Sequence, residues 1–375
     1  MIRAIAIAIP LLTSAAGVGL ACTAVDMIAA DKSVIAGRTM EWAFDMKWTL
    51  VSQPKGTALS LSAPKATGLP AKTVVTKYPV VGVSAGIIPG GALLDGQNSQ
   101  GLSMSANFLP GFTRYQTVTP QDKEYQSVLT FGSWALGNFA NVSELREGLK
   151  TMKVWADDSL PTGPTPATLH FVFVDRGGGG MVVEYVGGEL KIHDNVAHVL
   201  TNAPTYDWHL NNIRNYLNLS SVGVPARQIG TANVTELGQG GGFLGMPGDY
   251  TPPSRFVRAT ALRHTLTTPK TASEAAQAVS HILNNVDIPI GVAQSRGPDG
   301  KLVSDYTQWI VVKDLTNNVL KIADYNNRLN YLTIDLNPVF ADGKPMAKLV
   351  DDLPYPKSVA GTEAFRPETN AAASK

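Results

Sequence analysis

The chain has 375 residues, 44% of them hydrophobic and 16% charged, with 35 glycines, 24 prolines and a single cysteine, Cys22. This composition suits a globular protein rich in turns, and one cysteine excludes an internal disulfide. With 31 Lys+Arg against 30 Asp+Glu the net charge is +1, which argues against electrostatic capture of nucleic acid or of an anionic membrane.

Residues 1–21, MIRAIAIAIPLLTSAAGVGLA, have the layout of a secretory signal: Arg3, then an apolar run from Ile5 to Leu12, then small residues up to Ala21. Such a segment is expected to be removed, and with Pro10 inside it the apolar run is too short to span a membrane. A cut after Ala21 leaves 354 residues with 30 basic and 30 acidic side chains. The mature protein is therefore expected in a periplasm or outside the cell, with enough chain for a large core.

After the cut, TAVDMIAA and SVIAGRTM flank Asp31–Lys32 and predict a hairpin. GTALSLSAPKATGLPAK (56–72) reads as a loop insertion. VGVSAGI and GLSMSANF read as strands, and YQSVLTFGSWALGNF as helix. Asn141 with Glu144, and Thr271 with Glu274, look like helix starts with a capping box. LHFVFVD and MVVEYV across RGGGG, and WIVVKDL and VLKIADY across Thr316–Asn318, predict two more hairpins. PETNAAASK reads as a frayed tail. Strands and helices come in blocks, which favours α+β layers in one domain over 22–375.

Cys22 admits three readings. It is a small buried hydrophobe, or the lipid-bearing residue of a lipoprotein, or an N-terminal nucleophile whose own α-amine is the base. Lipoprotein signals normally place leucine three residues before the cysteine, where this chain has Gly19. An α-amine with a reference pKa of about 7.7–8.0 suits proton transfer near neutrality.

Further residues bear on that choice. C-T-x-x followed by GRTMEW (37–42), then DGQNSQGLSMSANF (95–108), VLTNAPTYDWHLNNIRNY (199–216), GMPGDYTPPSRFVRA (245–259) and YTQW (306–309), together resemble the choloylglycine hydrolase family of N-terminal nucleophile hydrolases. That family holds bile salt hydrolases and penicillin V acylases. The resemblance implies a four-layer αββα sandwich, amide hydrolysis through a thioester on Cys22, and often a homo-tetramer. It implies Arg38 beside the thiol, where a guanidinium favours thiolate. It places Glu41 where bile salt hydrolases usually carry aspartate, to hold the α-ammonium. Asn107 (backbone N–H) and Asn202 (side-chain amide) match the oxyanion region, and Arg255 matches an active-site arginine. Arg258 is expected to be a structural ion-pair partner.

Trp42, Phe108 and Trp48 are the expected acyl-binding side chains, suited to apolar or aryl groups. His193 and His198 lie close in sequence, yet no H-E-x-x-H, paired Cys/His spacing, G-x-S-x-G or phosphate-loop lysine occurs, so neither a metal nor a cofactor is expected. Export and the apolar pocket favour a penicillin V acylase-like enzyme, with acyl homoserine lactones as further substrates. A conjugated bile salt hydrolase is the alternative, and a non-catalytic lipid-anchored or binding protein of the same fold is the alternative of another class.

Overall fold

The computed structural model describes residues 21–88, 91–157, 167–297, 299–358 and 361. The expected signal up to residue 20 and the expected tail beyond residue 361 therefore lie outside the described residues.

Two antiparallel sheets face each other. The first has the order Val199–Leu200, Cys22–Ile28, Val34–Trp42, Leu302–Asp314, Val319–Asp324, Leu332–Asp335, with Ala293–Arg296 added along the Leu302–Asp314 strand. The second runs Glu189–Asp194, Gly180–Val186, Leu169–Val174, Ser103–Phe108, Leu93–Asn98, Val80–Ala85, Trp48–Gln53, Met346–Leu349. Helices Pro252–Thr265 and Ala272–Asn284 cover the outer face of the first sheet, and Val128–Asn138 and Val142–Leu149 that of the second. The result is the helix–sheet–sheet–helix sandwich expected. Strands buried on both faces lose the apolar–polar alternation. LHFVFV at 169–174 is buried at every position.

Gly37 shows how closely the layers approach. A Cβ there would stand 2.6 Å from Val279 Cγ1, so the Ala272–Asn284 helix lies directly on the central strand. Both helix starts are capped, with the Glu144 and Glu274 side chains accepting from the N–H one residue before the cap, Ala140 and Lys270, rather than from the cap's own N–H. Glu144 N–H donates to Asn141 Oδ1 at 2.9 Å, and Glu274 N–H donates to Thr271 Oγ1 at 3.3 Å, which satisfies first-turn donors that the helix leaves open. All three expected hairpins are present. The 56–72 segment differs from a plain loop: Ala58–Leu61 pairs with Lys72–Val75 around a short 3-10 turn. Among the described residues no helix is long and apolar enough to cross a membrane.

Near Cys22 the layer between the sheets is apolar, built from Met40, Met46, Trp48, Val81, Val83, Trp309 and Val311, and Cys22 belongs to it; further along, the buried Lys313–Asp95 pair bridges the two sheets. Cys22 opens its strand, so its thiol enters this layer while its backbone nitrogen stands at the sheet's end.

Candidate active site

Cys22 pairs with Met40 and Ala24 with Arg38, which puts all four side chains on the face turned toward the second sheet. Cys22 Sγ lies 3.8 Å from Met40 Sδ and is 2% exposed. Arg38 is fully buried; it donates to Leu94 O at 2.8 Å and Thr39 O at 3.3 Å and stands 5.1 Å from the Trp309 ring centre. Arg38 forms no ion pair among the described residues. A buried guanidinium without a carboxylate is a costly arrangement unless an anion faces it. Burial pushes the Cys22 thiol up; Arg38 and Arg255 pull it down, and Glu41 pushes it up.

The other face of the same strands carries the polar groups. Glu41 lies there, fully buried, its Oε1 accepting from the Thr307 hydroxyl at 2.6 Å and its Oε2 without a partner. Its backbone N–H donates to Ala21 O at 3.0 Å, which sets it beside the Ala21–Cys22 bond. Burial raises Glu41 to about 7, against the opposing pull of Arg255 and the Thr307 hydrogen bond.

Arg255 comes from the first turn of the Pro252–Thr265 helix, where a cation opposes the helix dipole. Its hydrogen bonds account for the placement: Nη1 donates to Cys22 O at 2.7 Å and Thr23 Oγ1 at 2.6 Å, Nη2 to Asn202 Oδ1 at 2.8 Å, and Nε to Tyr250 O at 3.0 Å. Because arginine only donates, Asn202 must turn its oxygen toward it. Asn202 Oδ1 also accepts from the Cys22 backbone nitrogen at 2.5 Å. The amide nitrogen is thereby turned the other way, donating to Phe108 O at 3.0 Å, with a second hydrogen to offer.

Asn107 acts differently from Asn202. Its side-chain nitrogen donates to Leu200 O at 3.1 Å and Thr201 O at 2.8 Å, tying the second sheet to the segment that presents Asn202. Its backbone pairs with His170, in the alternation by which Leu109 N–H donates to Thr168 O. The Asn107 N–H expected to face an oxyanion is thus directed to the neighbouring strand. Arg258 also departs from expectation. It holds carbonyls of Pro247 and Asp249, at 2.8 and 2.6 Å, and of Asn285 at 3.3 Å, rather than a carboxylate.

Trp42, Phe108 and Trp48 line one apolar cavity of about 50 Å³ with Cys22, Met40 and Leu129. Trp42 and Phe108 meet edge to face, centroids 5.6 Å apart. Trp48 Nε1 donates to Gln308 Oε1 at 2.5 Å, which fixes the ring against Trp309. A second cavity, of about 560 Å³, opens on the other side of the Ala21–Cys22 bond, bordered by Ala21, Asn202, Asp249, Tyr250, Gln294 and Asp305. The residues expected from the motifs, Cys22, Arg38, Glu41, Asn202, Arg255 and Asn107, thus occupy one neighbourhood.

Sequence reasoning missed several groups. Glu184 and His170 are buried, with His170 Nδ1 2.9 Å from Glu184 Oε1 and Nε2 3.0 Å from Thr201 O; His209 Nε2 lies 2.8 Å from Asn202 O. These three brace the Asn202 segment from behind. The hydroxyl of Thr307 and the carboxyl of Asp305 sit in and next to YTQW, a motif that gave no role to either. Among the described residues no three His, Cys, Asp or Glu side chains are placed to hold a metal ion.

The model of linear amide C–N hydrolases, choloylglycine hydrolase family, matches residues 22–339. A bile salt hydrolase/transferase of Clostridium perfringens is 32% identical over 86% of this chain and 94% of its own length. A penicillin V acylase of Pectobacterium atrosepticum is 29% identical over 68% of this chain and 63% of its own. Among solved structures, a mutant of the conjugated bile acid hydrolase from Clostridium perfringens superposes with a TM-score of 0.75 at 28% identity, covering 87% of this chain and 96% of that one. The penicillin V acylase of Agrobacterium tumefaciens gives a TM-score of 0.68 at 24% identity, over 87% and 90%, and shows the shared fold. The chain belongs to the choloylglycine hydrolase family and is a linear amide C–N hydrolase.

Proposed function

We propose that this protein is exported, that removal of residues 1–21 makes Cys22 the N-terminus, and that Cys22 hydrolyses amides of apolar acyl groups through a thioester. The single observation that supports this most is the convergence on Cys22: Asn202 and Arg255 grip its backbone, and an unpaired arginine, Arg38, faces its side of the sheet. In this reading the free α-amine takes the thiol proton, and the thiolate attacks the amide carbon. The α-ammonium then returns the proton to the leaving amine. Water, deprotonated by the same amine, releases the acid. Arg38 stabilises the thiolate, and the second Asn202 amide hydrogen meets the developing oxyanion. Asn107 holds the Asn202 segment, Arg255 orients the Asn202 amide, and Glu41 holds the α-ammonium.

Acyl selectivity belongs to the cavity around Trp42, Phe108 and Trp48. The space of about 50 Å³ between these rings opens for any acyl group only with side-chain adjustment, and its aromatic and aliphatic lining suits an aryl ring or an alkyl chain. This supports a penicillin V acylase-like enzyme that also takes long-chain acyl homoserine lactones. The 32% identity to a bile salt hydrolase/transferase favours conjugated bile salts as the second reading. One panel decides: amine release from penicillin V, acyl homoserine lactones, and glycine and taurine conjugates of bile acids. Higher kcat/KM on the first two is the expected ranking, and the reverse establishes the second reading.

The homo-tetramer expected from the family has a candidate contact element. Around the Arg227–Ile229 and Ala232–Val234 hairpin, Leu217, Val222, Ile229, Leu237 and Leu244 are exposed, with Leu237 fully so. A second copy of this chain is the occupant proposed for this apolar arm. Sedimentation of the mature protein should give a tetramer, and deletion of 220–243 should give smaller species.

A further inference from the structure

Next to Glu41 lies a second buried carboxyl group. Thr307 pairs with Glu41 across the two strands, and Asp305, two residues before it, presents its side chain on the same outer face. Asp305 is 6% exposed, and its Oδ1, like Glu41 Oε2, is buried without a partner. Asp305 also borders the roughly 560 Å³ cavity that Ala21 and Asn202 line. The buried Thr39 hydroxyl acts on Glu41 without a hydrogen bond of good geometry, so beside one peptide bond these two carboxyl oxygens mark a place where donors are due.

A cut after Ala21 supplies them. The peptide nitrogen of Cys22, with one hydrogen, becomes an ammonium with three. One acceptor is already in place, Asn202 Oδ1 at 2.5 Å. Glu41 Oε2 and Asp305 Oδ1 are the unpartnered acceptors beside Ala21. We propose that Asp305 is a positioning residue that, together with Glu41, binds the α-ammonium of the mature chain and sets the pH at which it becomes a base. This assignment rests on the reading of Cys22 as the mature N-terminus.

The charged groups around this point are few. Arg255 faces it from the Pro252–Thr265 helix, but all its nitrogens are engaged with Cys22 O, Thr23, Asn202 and Tyr250. Arg258 is turned to the Pro247, Asp249 and Asn285 carbonyls. Asp249, on the loop before that helix, is held by Thr251 and Ser254 and lies at about 2, so it stays ionised. Asp287 acts on Glu41 from the segment after the Ala272–Asn284 helix and is paired with Arg328. The Cys22 thiol and Arg38 lie on the inner face. With the peptide bond intact, Glu41 and Asp305 are each raised to about 7, by burial first and, for Asp305, by Glu41 as well, against the pull of Arg255. A new cation between them favours their ionised forms, and they in turn favour the protonated amine.

The sign follows. Removing one negative charge lowers the amine's pKa, so the amine becomes a free base at lower pH. The test uses mature Cys22→Ser protein and follows N-terminal labelling by an amine-selective acylating reagent against pH, read by peptide mass. Asp305→Asn and Asp305→Ser should each move the midpoint down by about one pH unit, and Asp305→Glu should restore it. In Cys22 protein with Asp305→Asn, the acid limb of kcat/KM should move by the same amount. A purely structural Asp305 would lower Tm and leave the midpoint in place. An unchanged midpoint in either folded neutral variant overturns the assignment. Labelling requires no substrate, so inactivity on every amide tried does not bear on it. An N-terminus other than Cys22 in the mass spectrum overturns the parent reading instead.

Discussion

The two faces of the strand that begins at Cys22 have opposite chemistry. Around Cys22 the inner face is apolar: thiol, thioether, indole and phenyl groups around a small cavity, with the buried guanidinium of Arg38 beside it and the buried Lys313–Asp95 pair and Asp26 further along. The outer face gathers Glu41, Asp305, Thr307, Thr23 and Arg255. In a strand, alternation alone sends successive side chains to opposite sides, so a single backbone position divides the two environments. In the proposed mechanism the acyl half of an amide enters the first and its amine half the second. The difference shows how one residue can serve two chemistries: side chain on the dry side, backbone nitrogen on the polar side.

Breaking the inner face at its centre should have the largest effect. Cys22→Ser should leave the fold intact and reduce turnover by about 10³-fold or more, since a hydroxyl is far less ionised than a thiol near neutral pH. Circular dichroism and single-turnover assays would check both halves. On the polar side, Asn202→Ala removes the amide donor and should reduce kcat by about 10²–10³. Arg255→Ala should approach the same loss while leaving Cys22 O buried and unmatched, lowering stability by about 1–3 kcal/mol.

Next comes the charge that the two faces share through the thiol. Arg38 lowers the Cys22 pKa against burial, so Arg38→Met should raise it, and the thiolate should form only at higher pH. Alkylation rate against pH measures this directly: the curve should move to higher pH by about one unit. A curve unmoved would mean that Arg38 serves packing alone.

Smaller effects should separate selectivity from stability. Phe108→Ala or Trp42→Ala should change the ranking of acyl groups by about 10-fold or more, with little change among leaving amines of one acyl group. Arg258→Ala should cost stability, about 1–3 kcal/mol for the carbonyls left behind, and leave kcat/KM within a few-fold. Equal loss of rate and stability there would tie the Asp249 loop to catalysis.

The first hairpin is legible in the sequence because it is local: the turn pair Asp31–Lys32 fixes it, with Lys32 at φ 71°. The residues that meet at Cys22 come from distant segments and are legible only through the family resemblance that C-T-x-x, GRTMEW, VLTNAP and SRFVRA carry. Asp305 is not legible. A single aspartate ahead of YTQW reads as a strand-edge acid, and its burial depends on a strand pairing and a helix that lie far apart in the chain. Arg258 escapes the sequence for the same reason, since its partners are carbonyls at the ends of two distant segments. The 56–72 hairpin has four-residue strands of mixed polarity, too short for a period to show.

The most direct test of the central claim is acid-quenched intact mass spectrometry of the mature protein during turnover of a slow phenoxyacetyl amide. The expected result is a chain starting at Cys22 whose mass rises by one phenoxyacetyl group, located on Cys22 by peptide mapping and sensitive to hydroxylamine. A chain with a blocked or different N-terminus, or turnover with the acyl group on another residue, would contradict it.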